Sequence, residues 1–180
     1  KRPGMHLLSA MQHIAHGSDS NLYFQWRKSR GSSEKFHGAV VDHDNSTDNR
    51  VFQEVAQVGK LMEKIAAVKG ANKQAKVAIL YDWDNNWALD DAQGFAQATK
   101  RYPQSCQAHY RYFWDRDIPV DVVTPNYDLS QYDLVVAPML YLLTETNMQH
   151  LADFVKGGGR LVSTYLTGIV NESDLTYING

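Results

Sequence analysis

Cysteine is nearly absent. Cys106 is the only one in 180 residues, so no disulfide can close within the chain and no cysteine-based zinc site can be built. A lone thiol fits a reducing, cytoplasmic setting. Long apolar runs are missing too. None approaches the ~20 residues that a membrane helix needs, and Lys1-Arg2-Pro3-Gly4 leads into an amphipathic stretch, not the apolar core of a secretory signal. Nor does one sign of charge dominate: 18 Lys and Arg stand against 20 Asp and Glu, a formal charge of −2. The basic residues are scattered, so a nucleic-acid partner is not expected. Apart from Gly157-Gly158-Gly159 there is no low-complexity segment, and no internal repeat is visible.

What remains is the composition of an ordinary globular chain, 43% hydrophobic and 21% charged. Residues 5–15 carry Leu7, Leu8, Met11, Ile14 and Ala15 at helical spacing. Asn21 to Gln25 is short, aromatic and apolar, which predicts a buried strand. Residues 26–49 turn polar and irregular, a loop long enough to suggest function. A second helix is predicted over about 50–68 on the stripe Val51, Val55, Val58, Leu61, Met62 and Ile65, capped by Asp48 or Asn49. The pattern changes at Gly70-Ala71-Asn72, which divides the chain into domains 1–70 and 71–180.

In the second domain, Ala75–Tyr81, Val120–Val123, Leu134–Ala137 and Arg160–Thr164 read as short apolar strands. A helical region over 92–116, interrupted by Pro103, and a helix from Thr144 to about Lys156 lie between them. Strands and helices in that alternation give a parallel α/β sheet. The sheet stops at Asn179-Gly180 without a closing helix, so this domain is expected to be truncated at its C-terminus.

Four places could carry chemistry. Glu34 and His37 are three residues apart, so a tight turn or short helix would aim both at one ligand. A carboxylate accepts sugar hydroxyl hydrogens and an imidazole accepts or donates one; spacing alone equally allows an idle exposed loop. His37, Asp42, His43 and Asp44 have the side chains of a metal site but no recognised ligand spacing, and Asp-His-Asp-Asn also makes a solvated turn. Trp83 and Trp87 follow the first strand of the sheet, where ligands gather in open α/β folds; contact or packing is favoured over ligand, with Asp84-Asn85-Asn86 as a turn. Cys106 must be weighed as a nucleophile, because the sheet order resembles that of class I glutamine amidotransferases, which carry their cysteine on a sharp strand-to-helix turn. The matching strand here, Val135-Val136-Ala137-Pro138-Met139-Leu140, has no cysteine after it, so Cys106 reads as inert. Gly157-Gly158-Gly159 follows a helix, where a phosphate loop would precede one.

The motifs Lys1-Arg2-Pro3-Gly4, His16-Gly17, Phe24-Gln25-Trp26-Arg27, Glu34-Lys35-Phe36-His37-Gly38 and Asp42-His43 resemble the barrel end of β-galactosidases of glycoside hydrolase family 42. Ala78-Ile79-Leu80-Tyr81-Asp82-Trp83, Pro119-Val120-Asp121-Val122-Val123, Leu134-Val135-Val136-Ala137-Pro138 and Gly168-Ile169-Val170-Asn171-Glu172 resemble that family's trimerisation domain. The resemblance implies the C-terminal end of a (β/α)8 catalytic barrel in 1–70 and a parallel-sheet, amidotransferase-like (flavodoxin-like) trimerisation domain in 71–180. It implies retaining hydrolysis of terminal β-D-galactosyl residues, with lactose or galacto-oligosaccharides as substrate and a homotrimer as the assembly. By the family pattern both catalytic glutamates lie upstream of Lys1, and Glu34 and His37 match residues that hydrogen-bond the galactose hydroxyls. No metal and no cofactor is expected, and the isolated chain is expected to be inactive. The alternative is a stand-alone oligomerisation or binding module with no catalytic activity.

Overall fold

The computed structural model describes residues 1–71, 73–94 and 100–178. The chain divides into two compact units, Lys1–Asn72 and Lys73–Gly180.

The second unit is organised by four strands, β1 (Val77–Leu80), β2 (Val120–Val123), β3 (Leu134–Ala137) and β4 (Arg160–Ser163). They form one parallel sheet in the order β2-β1-β3-β4, the start of a flavodoxin-like order. Because successive side chains of a strand point to opposite faces, the central strands feed two cores. Ala78, Leu80, Val135 and Ala137 face α5 (Glu145–Lys156), which contributes Leu151, Met148 and Phe154. Ile79 and Val136 face the other way, onto Leu89 of α3 (Trp83–Asp91) and Tyr102 and Cys106 of α4 (Tyr102–Trp114). Helices on both faces explain why β1 is apolar at all four positions and buried throughout.

The strands lie where their apolar runs predict: β2 and β3 have the expected bounds, β1 is shorter at both ends and β4 by one residue at its C-terminal end. Thr144 caps α5 as expected, its hydroxyl accepting from the Asn147 N–H at 3.1 Å. Two expectations fail here. Asp84-Asn85-Asn86, read as a turn, lies inside the helix α3: the Asp82 carboxylate accepts the Asp84 N–H at 3.0 Å and starts the helix, overriding the turn preference of those residues. The helical region expected over 92–116 is realised over Tyr102–Trp114, with Pro103 in its first turn, where a missing N–H costs nothing. Residues 95–99 of that expectation lie outside the described residues.

In the first unit, α1 (Met5–Ala15) and α2 (Arg50–Lys64) flank a long loop. Asn49 caps α2, its side chain accepting the Phe52 N–H at 2.9 Å. A separate 3-10 turn, Ala66–Val68, follows and ends the predicted helix early. The buried strand expected at Asn21–Gln25 is not formed. That segment belongs to no named strand, and Leu22 and Phe24 are 90% and 73% exposed. An apolar aromatic run becomes a strand only when neighbouring strands take up its backbone groups, and the described residues of this unit offer only a single bridge, Arg27 to Val41.

Candidate functional site

The loop between the two helices is not slack. Val40 N–H donates to Gln25 O at 3.0 Å, Val41 N–H to Trp26 O at 2.7 Å and Lys28 N–H to Val41 O at 3.0 Å. Val40 and Val41 are buried at this closure. Side chains reinforce it: Lys28 pairs with Asp42 at 3.1 Å, the His43 ring bonds Ser29 O at 2.9 Å, and Arg27 donates to Asn45. Residues 29–39 are therefore an excursion tied shut at its base.

At the tip sits a 3-10 turn, Ser33–Phe36, within a stretch expected to be irregular loop. It brings Glu34 and His37 together through the backbone, the His37 N–H donating to Glu34 O at 3.0 Å. Both side chains are exposed. His37 also lines a cavity of about 400 Å³ with Lys1, His6, Tyr23, Phe24, Gly38 and the α2 residues Val51 and Val55, whereas Glu34 is not part of that lining. His6 and Tyr23 have no counterpart among the residues singled out from sequence, where they read as helix and strand. Their rings lie 5.8 Å apart. Burial, with Lys1 adding to it, lowers the His6 pKa, and its Nδ1 is buried without a hydrogen-bond partner. Only the separation of His6 and Tyr23 by a loop, invisible before folding, hid this pairing.

The metal reading does not find its geometry. Asp42 and His43 are engaged in closing the loop, and the Asp42 carboxyl is held below its usual range by the His43 backbone N–H and the Lys28 ammonium. Among the described residues no three His, Cys, Asp or Glu side chains converge on a point.

In the second unit the chain reverses direction across the sheet between β1 and β3, the place where doubly wound folds bind ligands. Here that crevice is filled by the protein itself. Asn85, fully buried, donates to Met139 O at 3.0 Å and accepts from the Leu142 N–H at 2.8 Å. The Met139 N–H donates to the Thr164 hydroxyl at 2.7 Å. The sharp turn after β3 is present, with Met139 at φ 44, but its side chain is a buried thioether. Cys106 lies elsewhere, on α4, buried, with burial pushing its thiol up to about 11. Burial favours its neutral thiol, the less nucleophilic form. Trp83 and Trp87 stand exposed on α3, just beyond the filled crevice.

One unit is a parallel sheet with helices on both faces, and the other carries a carboxylate and an imidazole on one exposed turn of a tied loop. Family models match both units: "Beta-galactosidase" over residues 1–65 and "Beta-galactosidase trimerisation domain" over residues 75–180. The chain belongs to the β-galactosidases of glycoside hydrolase family 42. β-Galactosidase GanA of Bacillus subtilis is 65% identical over 180 residues, covering 100% of this chain and 27% of the relative. β-Galactosidase Pbg of Clostridium perfringens is 53% identical, covering 100% and 26%. Among solved structures, Gan42B, a family 42 β-galactosidase of G. stearothermophilus, matches with a TM-score of 0.91 at 67% identity, covering 100% of this chain and 26% of that one. The β-galactosidase of Rahnella sp. R3 matches with a TM-score of 0.89 at 53% identity, covering 100% and 26%. The chain spans about a quarter of the length of the curated relatives it matches. No helix among the described residues is long and apolar enough to cross a membrane.

Proposed function

We propose that this chain is the substrate-orienting and assembly portion of a retaining β-galactosidase. In this reading residues 1–70 close the (β/α)8 catalytic barrel and residues 71–180 build a homotrimer. Glu34 and His37 hydrogen-bond hydroxyls of the terminal galactose. The observation that carries the reading is the family match over both units, coupled to a loop tied at its base that presents Glu34 and His37 on one exposed turn. Loops that follow barrel strands build the active site in such folds.

Retaining hydrolysis needs two carboxyl groups about 5–5.5 Å apart, one as nucleophile and one as acid and base. Both belong to barrel strands outside this chain. Glu34 and His37 contribute orientation: a carboxylate accepting two hydroxyl hydrogens and an imidazole exchanging one fix the sugar ring against the reacting carboxylates, which acts on the transition state as well as on binding. The buried Cys106 and the filled crevice beside Asn85 leave the second unit an assembly role with no chemistry of its own. Its free thiol agrees with a cytoplasmic enzyme acting on lactose or galacto-oligosaccharides.

Two measurements test this. The purified chain is expected to hydrolyse no nitrophenyl galactoside above a mock preparation; turnover would place the catalytic carboxylates within it. In the complete enzyme, Glu34→Gln and His37→Ala are each expected to lower kcat/KM by roughly 10²–10³-fold, the effect of losing one preorganised hydrogen bond at the reacting sugar. A loss below about threefold in both would remove them from the site.

A further inference from the structure

Two of the most exposed large aromatic side chains in the second unit stand together. Trp83 and Trp87 are 60% and 61% exposed on adjacent turns of α3, their rings 6.2 Å apart. They are also held from below. Tyr102, 1% exposed, stacks on Tyr81 at 5.1 Å, and Tyr81 meets Trp83 edge-on at 5.3 Å. A column of four rings thus runs from the core to the surface, so the outer indoles are positioned before any partner arrives and lose little freedom on contact. The same helix exposes Asp84, Asp90 and Asp91, none of which forms an ion pair with a described residue.

We infer that this indole pair with its three carboxylates is one half of the contact between copies of the chain, covered in the assembly by a different, cation-bearing surface of the neighbouring copy. The inference rests on the assembly role proposed above and names the patch that performs it. The family match gives the occupant, a second copy, since the trimerisation-domain model spans all of α3. Charge gives the kind of contact. Two such faces laid on one another would set carboxylates against carboxylates, so a two-fold, patch-on-itself dimer is disfavoured. A heterologous contact, one patch against another, has no such conflict and closes into a ring, the symmetry of a trimer. Buried indoles beside desolvated cation–carboxylate pairs are what anchor such interfaces.

The test is light scattering over a concentration series on the 180-residue chain, its Trp83→Ser/Trp87→Ser variant, its Asp91→Lys variant and an exposed-aromatic control, Tyr127→Ser. Lysine in the last turn of α3 suits the helix macrodipole, so Asp91→Lys keeps the fold even if the double variant does not. We expect a trimer whose half-assembly concentration rises at least about tenfold in both α3 variants, with unchanged circular dichroism, and stays put in the control. A trimer that both α3 variants form as readily as the parent overturns this inference while leaving the assembly reading intact. A monomeric parent at every concentration overturns the assembly reading, and this inference with it. Saturable quenching of indole emission by lactose at constant mass would make the pair a sugar platform instead, and would equally overturn it.

Discussion

Asn85 shows how one residue closes the second unit to ligands. Its carboxamide bridges Met139 O and the Leu142 N–H inside the core, and neither group has water to fall back on. Asn85→Ala leaves the Leu142 N–H unpaired, while Met139 O keeps the Tyr141 N–H at 2.8 Å, so the free energy of unfolding in urea should fall by roughly 1–3 kcal/mol, the cost of one buried unpaired group. A drop under about 1 kcal/mol would mean that the turn after β3 holds itself. Cys106, Tyr132 and the buried Tyr102, whose hydroxyl burial also pushes up, shape the response to alkali. Burial raises the thiol from 9.0 to about 11, and burial with the hydrogen bond to Asp121 raises the Tyr132 hydroxyl from 10.0 to about 12. Each is favoured in its neutral form when folded, so its contribution is whole below the unfolded value and is lost as pH climbs to the folded one. Thermal unfolding followed from about pH 8 to 12 should show stability declining from about pH 9 onward; a flat profile through about pH 11 would contradict a buried thiol. That Cys106 is inert was legible in the sequence from its distance to the strand-end turn. That Asn85 is a clamp was not, because its partners lie 54 and 57 residues away.

At the level of elements, β1, β3 and the two helices α1 and α5 could be read directly, since a strand buried on both faces must be apolar at every position and an amphipathic helix must show its stripe. Thr144 was legible as a cap for the same local reason, and Thr144→Ala should cost about 1 kcal/mol, seen as a lower urea midpoint with an unchanged slope. No change in midpoint would assign the start of α5 to its packing alone. α3 escaped because it exposes indoles on one side while burying Asn85, Asn86 and Leu89 on the other, so its sequence shows neither a clean stripe nor helix-forming residues. The strand expected at Asn21–Gln25 shows the opposite failure: the local pattern is right, but strand formation is decided by neighbours that pair with it. Glu34 and His37 stand between these cases. Their spacing was legible, and the turn that unites them is found, but their sugar-binding role rests on family likeness and on the kinetics proposed above.

The two units differ in how their interiors are built. Among the described residues, the buried hydrophobic ones of the first unit are Ala10, Val40, Val41 and Val58, and the other twenty lie in the second. The first unit has no sheet among its described residues, and its helices rest on few buried neighbours. Local opening follows that distribution. Hydrogen exchange on the 180-residue chain should therefore be fast across residues 1–71 and slow in β1 and β3; uniform protection would show that the first unit is stabilised by something beyond its own core.

The strand order carries a consequence in time. β1 is the centre of the sheet, yet both strands that flank it, β2 and β3, come later in the chain. During synthesis Val77–Leu80 emerges first and has no complete ladder to join until Ala137 has followed it. At about 5–20 residues per second that delay is roughly 3–11 s. For that interval the growing chain displays a strand apolar at every position with an edge open, a template on which a neighbouring nascent chain could pair.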